Sequence, residues 1–123
     1  LNMKPHWFKQ HVAYTMAKYG MSLCTLGMAE EFRAQGIAVN SLWPRTTIAT
    51  VAIAVNFPEA ILKASRKAAI MADAAHVIFS RDSRMASGNF YIDETVLCEA
   101  GVTDFEPYAV TPGAKLYTDL FLD

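Results

Sequence analysis

Hydrophobic and polar positions along the chain alternate between two periods. Residues from about 13 to 34 read as one long helix whose last turns carry Glu30, Glu31 and Arg33, and Gly36 is placed to end it as a left-handed cap. Next comes IAVNSLW at 37–43, a β-branched apolar run stopped by Pro44, which suits a strand covered on both faces as in a parallel sheet. Residues 45–67, with Asn56, Pro58 and the basic cluster Lys63, Arg66 and Lys67, read as a loop holding one or two short helices, the cluster as a solvated face. A second helix is predicted at about 69–80, RDSRMASG is a turn-rich link, and GNFYIDE at 88–94 alternates like a strand lying beside the first. The tail from 95 on is expected to be mostly irregular, and the pattern shows neither an internal repeat nor a domain boundary.

Two strands are too few for a free-standing sheet, although 123 residues can bury a core. The long helix is apolar around its circumference near its start, so it needs cover from its own sheet and from something else, such as a second subunit. The chain reads as half of a larger unit.

Composition narrows the class. With 53% hydrophobic residues, 19% charged and a net charge of −1, the sequence is globular, without the basic patch a nucleic-acid partner needs. Residues 12–29 approach membrane-spanning length but hold Lys18, two tyrosines, Ser22 and two threonines, so a buried core helix is expected and no membrane partner. Cys24 and Cys98 form no CxxC, and Cys24 is expected to pack as a small hydrophobe, as Met16, Met21 and Met28 are expected to fill core or interface. A reducing compartment fits best, with cytoplasm as the default. His6, His11 and His76 lack ligand spacing and read as surface histidines, so no metal is expected.

The candidate chemistry lies in HVAYTMAKYGMSL. Tyr14 and Lys18, four residues apart on a helix, share one face, so an ammonium can lower the phenol's pKa from roughly 10 toward working pH and make it a general acid. With five tyrosines in the chain such a pair arises readily by accident. The surroundings give it weight, because Lys18 is the only charged residue between Val12 and Ala29 and a lone ammonium there is costly unless paired or employed. Trp7 and Phe8 either line a substrate pocket or pack on the core. VAIAVNF at 51–57 either caps that pocket or, the better reading, packs as a helix. Arg45 either reaches a cofactor phosphate or pairs with a surface carboxylate.

The Tyr-x-x-x-Lys pair, the segment NSLWP and the late strand GNFYIDE, in this order and spacing, resemble the short-chain dehydrogenase/reductase family over nearly the whole chain. WFKQHVAYTMAKYGMS, LWPRTTIAT and the tail PGAKLYTDLFLD are most similar to its hydroxysteroid dehydrogenase-like group. The resemblance implies an α/β fold: the C-terminal half of a doubly wound Rossmann-type parallel sheet, with residues 1–123 a single partial domain that is incomplete without an upstream N-terminal half. It implies NAD or NADP as cofactor, an alcohol or carbonyl compound as small-molecule substrate, and a homodimer or homotetramer packed through the long helix. Tyr14 would be the catalytic acid/base, and Lys18 would favour the tyrosinate and hydrogen-bond the nicotinamide ribose. Pro44, Arg45, Thr47 and Ile48 fall in the segment that would contact the nicotinamide end.

The chain departs from the family in four ways. The usual Pro-Gly is Pro44-Arg45, and an extra residue precedes the Ile48/Thr50 pair. The six glycines are too scattered for a phosphate-cradling turn. Residues 1–13 contain neither the helper serine nor a threonine, so both missing parts are expected upstream in a longer polypeptide. The alternative reading is a non-catalytic interaction subunit that pairs through the long helix and binds no cofactor.

Overall fold

The computed structural model describes residues 2–122. It builds a three-layer α/β unit around two short parallel strands, β1 (Ser41–Trp43) and β2 (Phe90–Ile92), in the register Ser41–Phe90, Leu42–Tyr91 and Trp43–Ile92. Six helices accompany them: α1 (Pro5–Phe8), α2 (Val12–Glu31), α3 (Val51–Asn56), α4 (Glu59–Lys63), α5 (Ala69–Phe79) and α6 (Asp93–Glu99).

Side-chain alternation along β1 separates the layers. Leu42 points with Tyr91 into the core of Ile48, Ile70, Ala74, Val96 and Leu97, where α5 packs on α6. Ser41 and Trp43 turn to the other face and meet α2: Ser41 Oγ lies 2.7 Å from Thr25 Oγ1, and the Trp43 ring stands edge-on to Tyr19 at 6.2 Å. Ile70 is fully buried. Ile70→Ala is therefore expected to cost about 2–5 kcal/mol through lost transfer energy and the cavity left behind, read as a lower urea midpoint; a loss under about 1 kcal/mol would contradict this core assignment.

The long helix keeps its expected place, and a 3₁₀ turn at Arg33–Gln35 extends it to Gly36, which takes φ 73° as the left-handed stop. Its inward stripe is unexpected: Thr15, Tyr19, Ser22, Thr25 and Ala29 are buried, while Val12, Met16, Met21, Leu23, Leu26 and Met28 are exposed. The methionines thus do not fill this chain's core, and Cys24, a free thiol, is exposed as well. A helix with an inward polar stripe and an outward apolar face needs cover beyond this chain. No helix among the described residues is long and apolar enough to cross a membrane.

Other expectations need correction. Residues 37–40 carry strand-like composition but only 41–43 form the strand, and β2 is confined to 90–92, because before them side chains replace the backbone ladder: the Val39 N–H donates to Ser87 Oγ at 3.1 Å and the Asn89 N–H to Asn40 Oδ1 at 3.0 Å. Neither strand is fully buried. The tail is mostly irregular as expected, with a 3₁₀ turn at Glu106–Tyr108, but its first residues are not: α6 runs to Glu99, opened by Asp93, whose Oδ1 accepts the Glu94 N–H at 2.7 Å, and anchored by buried Val96 and Leu97. The segment VAIAVNF is helical in α3, capped by Thr50, but buries no residue, with Val51 80% exposed. Of the basic cluster, Arg66 is buried and pairs with Glu94 at 2.5 Å, while Lys63 pairs with Glu59 and Lys67 donates to the Pro107 carbonyl.

Candidate active site

Helix α2 carries Tyr14 and Lys18 one turn apart, and both open into a cavity of about 280 Å³ whose other walls are Met21, Ser22, Ser41, Leu42, Trp43, Pro44, Asp119, Leu120 and Phe121. This places the pair where β1 ends and its following loop begins, the edge of a parallel sheet at which α/β folds bind ligands. Lys18 Nζ sits 5.4 Å from the Tyr14 ring centroid. The shared face read from the spacing is present.

The electrostatics differ from expectation. Burial, and secondarily the negative charge of Asp119, push the Tyr14 phenol above the ordinary tyrosine value instead of below it. The ammonium lies over the aromatic face, a cation–π position, and so does not offset these two effects at the hydroxyl. Asp119 is itself raised, mainly by burial, with the Leu120 N–H and then Lys18 pulling it back down. The cavity therefore sets a phenol that keeps its proton at neutral pH beside the Lys18 and Asp119 side chains.

The segment after β1 divides. Pro44 lines the cavity. The Arg45 peptide is held on both sides: its N–H donates to Asp93 Oδ1 at 2.8 Å and its carbonyl accepts the Asp119 N–H at 3.1 Å. Asp93 is fully buried, and burial raises its carboxyl against the lowering pull of the Arg45 and Glu94 amides. Thr47 and Ile48 lie inside: the Thr47 hydroxyl is 2.7 Å from Ser65 Oγ, its amide donates to the Tyr117 carbonyl, and Ile48 belongs to the α5/α6 core. Neither lines the cavity.

Trp7 and Phe8 pack on aromatic rings, Trp7 against Phe121 at 6.2 Å and Phe8 edge-on to Tyr19 at 5.6 Å, and neither borders the cavity of Tyr14. Sequence reasoning missed Asp119 and Phe121. Both arrive from about a hundred residues away, through an antiparallel bridge between Thr46 and Thr118 that no local periodicity announces. Trp43 had a signal, since it immediately precedes the strand-ending Pro44.

No protein-family model matches the chain. It is 56% identical over all 123 residues to hydroxysteroid dehydrogenase-like protein 2 of Rattus norvegicus, covering 23% of that protein, and 52% identical to that of Homo sapiens, covering 29%. The chain thus spans about a quarter of the length of these curated relatives. Among solved structures, a short chain dehydrogenase of Mycobacterium thermoresistibile superposes with a TM-score of 0.88 at 46% identity, matching 100% of this chain and 44% of that one. With this agreement in sequence and backbone along its full length, the chain belongs to the short-chain dehydrogenase/reductase family.

Proposed function

We propose that residues 1–123 are one partial domain carrying the proton-transfer end of an NAD(P)-dependent oxidoreductase that interconverts an alcohol and a carbonyl compound. The observation that carries this reading is the opening of Tyr14 and Lys18 into one cavity at the end of β1. The residues present fit the nicotinamide end of such a cofactor. At about 280 Å³ the cavity stands near the lower edge of small-molecule pockets, roughly 300–1,000 Å³, and no glycine-rich turn accompanies it to hold a pyrophosphate.

When bound, the nicotinamide supplies or accepts the hydride. Tyr14 gives its phenolic proton to the carbonyl oxygen during reduction, or takes one from the alcohol during oxidation, so that charge does not build up on the substrate oxygen. Lys18 holds the ribose hydroxyls with its ammonium and stabilises the tyrosinate left after proton transfer. Pro44 walls the cavity, while Arg45, Thr47 and Ile48 act through the backbone that carries that wall. Two free cysteines suit a reducing compartment, the cytoplasm in this reading.

Binding is the direct test. In the complete polypeptide, NADH or NADPH should raise the melting temperature by mass action on the native state; no shift with either at saturating concentration would refute the reading.

The proposal includes a homodimer or homotetramer packed through α2, supported by the helix's exposed apolar face. Leu26→Glu, at a position 45% exposed in the isolated chain, is expected to lower the sedimentation coefficient to that of a smaller species. An unchanged profile would move the interface elsewhere.

A further inference from the structure

Phe121, near the end of the described tail, takes a left-handed backbone conformation, φ 68°, which bulky residues adopt only when their surroundings hold them there. The surroundings are visible. Upstream, the Thr46–Thr118 bridge, the Thr47 N–H to Tyr117 carbonyl bond of 3.0 Å and the Asp119 N–H to Arg45 carbonyl bond tie the tail to the loop after β1. The Phe121 ring, 4% exposed, lies parallel to the Tyr14 ring at 6.3 Å and 11°, and edge-on to Tyr19 and Trp43 at 5.2 and 5.9 Å.

This ring stands between two cavities. Phe121 and Trp43 border both the 280 Å³ cavity that holds Tyr14 and Lys18 and a second one of about 170 Å³, whose further walls are Asn2, Tyr19, Phe90, Tyr91, Ile92 and Leu122. The rear cavity is lined chiefly by apolar and aromatic side chains, with no charged group among the described residues. A substrate carbon presented to the Tyr14 hydroxyl that extends an apolar arm toward the second cavity meets the wall that Phe121 and Trp43 form between the two.

We infer that Phe121 is a specificity-determining residue, a partition that confines the substrate to compact carbonyl or alcohol compounds and bars those with a long aliphatic or aryl arm. This rests on Tyr14 being the acid/base. Discrimination by apolar volume in a hydrophobic pocket is worth roughly tenfold or more per well-fitted group, so removal of the ring should join the cavities and admit the longer arm.

The experiment uses the complete polypeptide as wild type, Phe121→Ala and Phe121→Leu, with linear and aryl-substituted ketones of increasing length as substrates and both NADH and NADPH supplied. Affinity for the corresponding secondary alcohols is measured separately from the quenching of Trp7 and Trp43 emission, since both indoles touch Phe121. Phe121→Ala should raise the ratio of kcat/KM for long over short ketones by about tenfold or more, with Phe121→Leu moving it less in the same direction. An unchanged ratio in either folded variant overturns the inference, as does a wild type that already prefers the long ketones. If Phe121→Ala does not fold, Phe121→Leu decides alone. If the wild type turns over no ketone with either cofactor, the acid/base reading is what has failed; the alcohol affinities then decide the partition, and equal affinities in wild type and variants overturn it.

Discussion

Tyr14→Phe in the complete polypeptide should lower the rate of carbonyl reduction by roughly a hundred- to ten-thousand-fold, the usual contribution of a positioned general acid, while cofactor affinity stays nearly unchanged. The substitution is nearly isosteric in this setting. The ring that stacks on Phe121 and lies beneath the Lys18 ammonium is retained, so both contacts survive and only the proton donor is lost. Wild-type reduction should also carry a pH signature. The phenol must be protonated to donate, so the rate holds below its pKa and falls as pH rises through it. Burial and Asp119 place that fall on the alkaline side of the ordinary tyrosine value in the chain without cofactor. In Tyr14→Phe this limb should vanish. A variant that reduces at near wild-type rate would remove Tyr14 from the chemistry.

Lys18→Ala should harm two quantities at once. Loss of a charge-assisted hydrogen bond, worth about 1.5–3 kcal/mol, predicts a roughly ten- to hundredfold weaker cofactor affinity. The rate at saturating cofactor should fall as well, because the tyrosinate then forms without a neighbouring cation and Asp119 faces it alone across the cavity. The contrast between the two variants is the informative part: Tyr14→Phe lowers kcat with little change in KM for the cofactor, whereas Lys18→Ala moves both. Unchanged cofactor affinity in Lys18→Ala would contradict the ribose contact.

What the sequence made legible was local or strongly periodic. The long helix, its Gly36 stop, the helix at Ala69–Phe79 and the parallel pairing of the two strands follow from apolar spacing and from breakers at Gly36, Pro44 and Pro58. The Tyr14–Lys18 face is helix geometry and could be read directly. Strand lengths could not, because a strand ends where its partner does, and the partner is chosen by tertiary structure. Helix α6 was hidden because DETVLCE follows a strand without a breaker, and its start is set by the Asp93 carboxylate. The inward stripe of α2 was illegible for a different reason: Thr25 pairs with Ser41 across the helix–sheet contact, Thr15 and Ser22 are buried beside it, and the apolar residues face outward. The upward Tyr14 pKa shift comes first from burial and then from Asp119, a residue 105 positions away in sequence, and only the folded chain delivers either.

The most direct test of the central claim, that Tyr14 and Lys18 form the proton-transferring end of a hydride-transfer site, is a crystal structure of the complete polypeptide with a nicotinamide cofactor and a ketone bound. The Lys18 ammonium should lie within about 2.7–3.2 Å of the nicotinamide ribose hydroxyls and the Tyr14 hydroxyl within about 2.5–3.0 Å of the ketone oxygen. A cofactor bound with its nicotinamide away from this cavity, leaving Lys18 and the phenol without contact to it or to the ketone, would contradict the account.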